Sequence, residues 1–360
     1  MIKYFFVLFL FIISFGSGMS QSLSQKMIEQ ATITGIVEEE NYFWVSTYGF
    51  GIWRYSKKDA KWFVYSTKTG NLEDDLFYTV AVSDKFVWAG TSEGLWTLDR
   101  KTDKWRKRKF AQGGEWGNWI RSLYYDEPEK VLWIGRFVNL TKFDVAKQRY
   151  YDINLTQGSD LKSNNIKSIA QDGDSILWFG TESGVHKYYK KKDYENKTAW
   201  SYINNNGRGF NGEGDAVSVS DFLFTSSNIW FATDEFVTRE QPGFNLGGIY
   251  RFNRLLKWDR YYQGNGLPAN GVFTLSRTGN TIWAGVYSFD KESKKEVGAG
   301  VALVDRITGK TRKLDLNQTN IASAKITTTY FDGDYIWIGT DNGLYRIKIS
   351  NPLAQWSAKK

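Results

Sequence analysis

The nine residues Ile336-Trp337-Ile338-Gly339-Thr340-Asp341-Asn342-Gly343-Leu344 decide the fold of this chain. An apolar residue, a tryptophan, another apolar residue and then small residues recur seven times, around Trp44, Trp88, Trp133, Trp178, Trp230, Trp283 and Trp337. Successive tryptophans lie 44 to 54 residues apart, which is enough for about four strands of five or six residues with their turns. Seven such repeats predict an all-β fold, a seven-bladed β-propeller of four-stranded antiparallel blades.

A second column of residues marks the start of each predicted third strand. It consists of Gly51, Gly94, Asn139, Gly184, Gly248, Gly300 and Gly343. Glycine and asparagine enter the left-handed backbone region at the lowest cost, so a positive φ is expected at this position.

The repeats also predict the limits of the propeller, which spans residues 31–358. The seven blades are expected at about 31–66, 76–110, 118–153, 164–203, 215–262, 270–316 and 321–358. Residues 21–30 are interpreted as a lead-in to the first blade. The sequence leaves open how the ring closes, because either residues 352–358 or residues 21–30 could supply the last strand of blade seven.

The first twenty residues have the pattern of a signal peptide. Lys3 precedes an apolar run over residues 4–15, and Gly18-Met19-Ser20 supplies the small residues that a signal peptidase needs, so cleavage is expected near Ser20. The apolar run is shorter than the roughly 20 residues that span a membrane. The pattern predicts an exported protein, periplasmic or secreted, without membrane insertion.

The composition excludes several kinds of chemistry. The 360 residues include no cysteine and one histidine, so disulfides, thiol nucleophiles and His-pair metal sites are not available. The net charge of +8 includes a basic run over residues 100–109. This run and Lys190-Lys191-Lys192 are interpreted as solvated strand edges, so no nucleic-acid partner is expected. No cofactor or metal is expected either.

The repeat resembles that of the two-component regulator propeller family, whose units carry a Leu-Trp-Ile-Gly-Thr-x-x-Gly-Leu core and often a Gly-Leu-Pro-x-Asn approach. Residues 336–344 and Gly266-Leu267-Pro268-Ala269-Asn270 match these two motifs most closely. The resemblance extends over residues 31 to about 350 and implies a propeller fold and a ligand-sensing role. Only about ten residues follow the last repeat, so no attached kinase is expected.

Departures from the repeat predict the functional face. Blades five and six carry insertions at Asp234–Gly247 and Tyr287–Gly298, and connections of this type share one face with residues 113–118 and 204–215. The candidate ligand-binding residues on that face are Trp116, Trp119, Arg136, Arg208, Asp215, Arg239, Tyr287 and Asp290. Alternatively, the insertions vary freely and the two tryptophans fill a gap between blades.

Other conspicuous residues have structural explanations. Asp172-Gly173-Asp174 and Asp332-Gly333-Asp334 resemble fragments of a calcium loop but fall where each blade needs its first hairpin turn. The single His186 occupies a third-strand column and is expected to pack rather than to act in catalysis.

Three classes of function remain. The first is a module, expected to be monomeric, that binds or senses an extracellular glycan or peptide. A cell-envelope protein-interaction scaffold is the alternative, and an enzyme, a lyase or hydrolase using paired carboxylates or Tyr and Arg, comes third. Convergence of a carboxylate with another carboxylate or a tyrosine near the axis, with perturbed pKa values, would favour the enzyme.

Overall fold

A computed structural model describes residues 24–349, with the exception of 208 and 256, and shows an almost entirely β protein. In chain order the strands are β1 (Ser24–Glu29), β2 (Thr32–Glu38), β3 (Tyr42–Tyr48), β4 (Ile52–Ser56), β5 (Lys61–Tyr65), β6 (Thr79–Val82), β7 (Phe86–Thr91), β8 (Gly94–Asp99), β9 (Lys104–Arg108), β10 (Ile120–Asp126), β11 (Val131–Arg136), β12 (Leu140–Asp144), β13 (Arg149–Ile153), β14 (Ile166–Asp172), β15 (Ile176–Thr181), β16 (Gly184–Tyr189), β17 (Trp200–Ile203), β18 (Val219–Phe224), β19 (Ile229–Phe236), β20 (Asn245–Phe252), β21 (Trp258–Tyr261), β22 (Gly271–Thr278), β23 (Thr281–Asp290), β24 (Lys295–Asp305), β25 (Thr311–Lys313), β26 (Ile326–Phe331), β27 (Tyr335–Thr340) and β28 (Gly343–Lys348). One short α-helix, α1, covers Leu316–Thr319, and short 3-10 segments lie at Trp116–Asn118, Leu161–Asn164, Lys197–Ala199, Asn205–Gly207, Gly209–Gly212 and Gln263–Asn265.

These strands form seven antiparallel four-stranded sheets, which confirms the predicted seven-bladed propeller. Blades one to six are β2–β5, β6–β9, β10–β13, β14–β17, β18–β21 and β22–β25. The first strand of each blade contacts the first strands of both neighbouring blades, so these strands form a continuous ring around the central channel.

Blade seven closes the ring with a strand from the opposite end of the chain. It contains β26, β27 and β28, and its outermost strand is β1, which pairs antiparallel with β28 from Ser24↔Ile347 to Glu29↔Gly343. Ile28 of β1 is buried against this blade. The N-terminal alternative for closure is therefore the observed one, and residues 352–358 lie outside the described residues.

The repeated tryptophans fill the space between blades. All seven are buried, with exposed fractions of at most 2%. Trp337 of blade seven packs against Phe43 of blade one with ring centroids 4.7 Å apart, and its Nε1 donates to Asp332 Oδ2 at 2.6 Å. Since each tryptophan belongs to one blade and contacts the next, the column ties neighbouring blades together.

The third-strand column has the positive φ that the sequence predicts at all seven positions. A Cβ at Gly94 would lie 2.2 Å from the carbonyl oxygen of Arg108 on the neighbouring fourth strand, so the site needs glycine for space as well as for φ. Asn139 adopts φ 74° in blade three, where no glycine is present.

The predicted signal peptide, residues 1–20, lies outside the described residues. Within the part of the chain that is described, no helix is long and apolar enough to cross a membrane.

Candidate functional site

The two predicted insertions are extended β-hairpins. In blade five, β19 and β20 continue their pairing to Phe236↔Asn245, and in blade six, β23 and β24 pair as far as Asp290↔Lys295. Both hairpins project from the face that carries the connections between second and third strands. We call this face the loop face, and the two hairpin ends, 234–247 and 287–298, the hairpin wall.

The hairpin wall is held together by contacts between the two blades. Phe236 and Phe289 pack with ring centroids 4.7 Å apart, and the Phe289 backbone N–H donates to Glu235 Oε2 at 2.8 Å. At the tips, Arg239 forms an exposed ion pair with Glu292. The two hairpins therefore form one wall on one side of the loop face.

Four of the predicted site residues are solvent-exposed, namely Trp116, Asp215, Arg239 and Asp290. Asp290 accepts hydrogen bonds from the backbone N–H groups of Glu292 and Ser293, which stabilise its hairpin turn and lower its pKa. Trp119 is half-buried. Arg208 is one of the residues that the structure does not describe.

Arg136 was expected on the surface, but the structure places it inside. Its side chain is fully buried and pairs with Asp152 at 2.7 Å, while Nη1 donates to the carbonyl oxygens of Gly117 and Gln112 at 2.9 and 3.1 Å. It replaces the threonine that five of the other six blades carry at this position and holds the connection before β10 in place. The expectation of surface exposure is wrong because these carbonyls and Asp152 supply hydrogen-bond partners for both Nη groups inside the protein.

Tyr287 is also buried, with 1% exposure. Its ring stacks on Phe273 at 4.1 Å, and its hydroxyl donates to Asp234 Oδ1 at 3.2 Å. Burial, followed by the charge of Glu296, raises the pKa of Tyr287 above its ordinary value. Tyr287 therefore lies at the base of the hairpin wall and not at its surface.

Across the channel from the hairpin wall, five aromatic side chains form a continuous row, which we call the aromatic shelf: Tyr48, Tyr78, Trp119, Phe137 and Trp116. Trp119 and Phe137 are stacked at 5.1 Å with an interplanar angle of 5°. The ends of the shelf are open to solvent, since Tyr48 is 43% and Trp116 is 58% exposed. Ring faces of this kind stack on sugar rings or on apolar side chains.

One residue from the first strand of each blade contributes to a ring around the channel, which includes Tyr78 of the shelf and was not predicted from the sequence. In six blades a β-bulge falls at the same place in the first strand. The residues at this place in the seven blades are Thr34, Tyr78, Arg121, Lys167, Ser220, Phe273 and Thr327. Thr34 donates to the Phe77 carbonyl of the next blade at 2.8 Å, as expected for side chains facing a neighbouring first strand. The sequence does contain a signal for these seven positions. The residue type varies from blade to blade, whereas the residue just before it is always apolar or aromatic.

Two of these residues, Arg121 and Lys167, belong to a line of charged and polar side chains that we call the charged chain. Its members are Arg121, Glu182, Lys167, Asp234 and Tyr287. Arg121 Nη1 donates to Glu182 Oε1 at 2.7 Å, and Lys167 contacts both Asp234 and Ser218. The guanidinium of Arg121 also lies over Trp119 and Phe137, 5.7 and 5.3 Å from their centroids. The charged chain thus runs from the aromatic shelf to the base of the hairpin wall.

A cavity of about 270 Å³ opens along this line and is lined by Lys167, Glu182, Asp234, Tyr287 and the phenylalanines of the wall, among others. Burial and then the charge of Arg121 lower the pKa of Lys167 to about 7, while direct contact with Asp234 favours the charged amine. Burial opposes ionisation of Glu182, but Arg121 lowers the pKa of this carboxyl below its usual range.

The remaining candidate residues have structural contacts. Asp332 accepts backbone hydrogen bonds from Asp334 and Tyr335, and Asp172 pairs with Arg254 at 2.7 Å. Among the described residues, no group of three or more His or acidic side chains could hold a metal ion.

His186 and Lys190 are both buried. His186 is 1% exposed and its Nε2 bonds the Ser163 carbonyl at 2.8 Å. Lys190 was expected at a solvated edge, but its side chain is only 5% exposed and pairs with Asp126 at 2.5 Å. The expectation for Lys190 is wrong because a buried carboxylate from the neighbouring blade draws it inwards.

Part of this seven-bladed propeller matches the sequence profile of a known repeat family. The sequence profile described as two component regulator propeller matches residues 160–183, in blade four. The chain therefore carries the two-component regulator propeller repeat that its motifs predict. No curated protein is similar enough in sequence to match the chain.

Solved structures share the fold at low sequence identity. The extracellular domain of BT4673 from B. thetaiotaomicron, described as a one component system, has a TM-score of 0.65 and 16% identity over 91% of this chain. This chain spans 40% of the length of that one.

Two further propellers show the range of functions that accompany this fold. Virginiamycin B lyase from Staphylococcus aureus has a TM-score of 0.64 and 11% identity, covering 90% of this chain and 98% of the lyase. PorZ, a surface component of the type-IX secretion system of Porphyromonas gingivalis, has a TM-score of 0.62 and 12% identity, covering 91% of this chain and 48% of PorZ. At such identities these likenesses establish the fold alone.

Proposed function

We propose that this chain is an exported sensing propeller that binds an extracellular glycan or peptide across its loop face. The observation that carries the proposal is the aromatic shelf, five rings in contact with one another and partly open to solvent, next to the charged chain. Two comparisons support the proposal. The chain carries the two-component regulator propeller repeat, and a structural neighbour with the same fold is an extracellular domain. The predicted signal peptide supports export.

The residues of the loop face differ in what they offer to a ligand. The exposed rings of Trp116 and Tyr48 offer flat apolar surfaces, and Lys162, above the ring of Phe244 at 3.9 Å, offers a charge at the edge of the cavity. Arg121 and Glu182 form an ion pair with each other, so their role in the site is to maintain its shape. A ligand lies on the shelf and reaches the cavity with a polar group.

The experiment is a glycan and peptide array probed with the mature protein, followed by titration of the best ligand. Trp116→Ala removes an exposed ring without touching the core and should weaken binding by about 1 to 3 kcal/mol. Leu255→Ala, at a residue that is 80% exposed in blade five, is the matched control and should leave affinity unchanged. Equal affinity of the Trp116 variant and the parent would reject the shelf as the site. Capture of an envelope protein on the shelf would support the scaffold alternative.

A second candidate, a lyase or hydrolase, is favoured by one observation: Asp234, Tyr287 and Lys167 meet in the cavity. Burial lowers the pKa of Lys167 to about 7, and its amine can accept a proton once a ligand separates it from Asp234, whereas Tyr287 stays protonated and can donate a proton.

The test is turnover of the array ligands, followed by mass spectrometry. Turnover should rise as the pH increases through about 7 and should be lost in Lys167→Met. Binding without any turnover in the parent protein rejects the enzyme.

A further inference from the structure

A large groove lies at the rim of the propeller, between the outer strands of blades three and four and away from the loop-face site. Its volume is about 770 Å³, within the range that accommodates small ligands. One wall comes from Tyr151 and its neighbours on β13, and the other from Trp200 and Tyr202 on β17. Neither the repeat nor the loop-face site explains it.

The groove owes its depth to an unusually long connection. Ten residues, 190–199, join β16 to β17 in blade four, whereas four residues, 145–148, join the corresponding strands of blade three. The long connection places Tyr194 against Tyr151 with ring centroids 5.8 Å apart. Trp200 Nε1 donates to the Tyr194 carbonyl at 2.7 Å, which fixes the connection over the end of the groove.

The lining combines ring faces with neutral polar groups. Four aromatic side chains, Tyr151, Tyr194, Trp200 and Tyr202, contribute to the walls. Asn154 and Gln157 add amide groups, and Tyr151 adds a hydroxyl, that can bond to paired hydroxyls.

The lining of the groove carries few charges, and they are of both signs. Asp152 pairs with the buried Arg136, Glu195 accepts from the Tyr194 hydroxyl at 3.1 Å, and Lys197 contributes one cation. The groove therefore offers neither a free cation cluster for an anion nor an acidic cluster for a cation. Rings plus neutral hydrogen-bonding groups suit a ligand whose faces are apolar and whose edges carry hydroxyls.

We propose that the rim groove between blades three and four is a second binding site, and that it takes a neutral oligosaccharide of about two or three sugar units. Sugar rings stack on Tyr151 and Tyr194, while the amide and hydroxyl groups bind the edges of the sugars. This site is independent of the loop face, so the protein has two places for ligands.

The probes are maltotriose, cellotriose and chitotriose, each titrated against the mature protein by saturation-transfer NMR. At least one should bind the parent protein. Tyr151→Ala combined with Tyr194→Ala should weaken binding by about tenfold, because two stacked rings are lost. Trp116→Ala, on the loop face, is the control and should leave this affinity unchanged.

Tyr151→Ala alone provides a second variant, because its half-buried side chain lies on the outer strand β13, so it covers the case in which the double variant fails to fold. It should weaken trisaccharide binding by about threefold while the thermal midpoint stays near that of the parent. Absence of binding by all three probes, or unchanged affinity in Tyr151→Ala, would overturn the proposal. Loss of binding in Trp116→Ala would move the sugar to the loop face and would likewise overturn it, without affecting the function proposed for that face.

Discussion

His186 makes the stability of this protein depend on pH in a way that a single substitution can isolate. It is the only histidine in the chain, is 1% exposed, and packs against Tyr202 with ring centroids 4.7 Å apart. Burial lowers its pKa from 6.5 to about 4, against a smaller opposing effect of its hydrogen bond to Ser163. The folded protein therefore keeps the imidazole neutral at a pH where the unfolded chain has already bound a proton.

The sign and size of the effect follow from this difference. The unfolded chain binds more protons between pH 6.5 and about 4, so the free energy of unfolding falls as the pH is lowered through this window. At about 1.36 kcal/mol per pKa unit, the full loss is about 3 kcal/mol, and about 2.5 kcal/mol of it should be present at a pH near 4.5. Above pH 6.5 the full stability is retained.

His186→Phe removes the titrating group and keeps a flat ring in its place. Losing the hydrogen bond to Ser163 lowers stability by about 1 kcal/mol at every pH, which is a constant offset. Urea unfolding of both proteins from about pH 7.5 to 4.5 gives the difference between them, in which the titration of all carboxylates cancels. A difference that stays flat over this range would refute the reasoning, as would an imidazole NMR signal that titrates near 6.5.

Three further predictions concern other parts of the fold. Trp337→Ala should lower the free energy of unfolding by about 3 to 5 kcal/mol through lost burial and a residual cavity; a urea-measured loss below about 1 kcal/mol would contradict the role of the tryptophan column. Burial raises the pKa of Asp221 to about 6, so its ionisation weakens the fold as pH rises from about 4 to 6; in Asp221→Asn the unfolding free energy relative to the parent should improve by about 2 kcal/mol over that range, and no change in the difference would count against it. Deleting residues up to Glu29 removes β1 and leaves an open edge on β28, so size-exclusion chromatography should show aggregates, whereas an unaltered monomer peak would mean that β1 is dispensable.

The fold was predictable from the sequence because its signals are local and repeated. Seven tryptophans at regular spacing and seven Gly or Asn residues report strand order and backbone conformation without reference to distant contacts. The ring closure was not predictable, since Ser24 pairs with Ile347 and no local pattern records that contact. Two terminal segments were equally suitable until the pairing was seen.

The candidate site was only partly predictable for a related physical reason. The insertions and Trp116 were found because they depart from the repeat. Arg136 and Lys190 are charged residues whose carboxylate partners, Asp152 and Asp126, come from other strands, so their burial depends on tertiary contacts. Lys167 and Arg121 were not predicted, because each is a single residue in its own blade and only the assembled ring brings the two side chains together.

The pairing of β1 with β28 gives the order of synthesis a consequence for folding. Most contacts within a blade join residues close in sequence and can form early, but the closing pair joins a strand made first with a strand made last. Until β28 is available, β1 remains an unpaired edge, exposed to association with other chains. Once both strands are present, completion of the ring becomes a long-range search across the whole molecule. A circular permutant whose new ends lie between blades one and two would replace that search by a short connection, and should reach its closed form sooner.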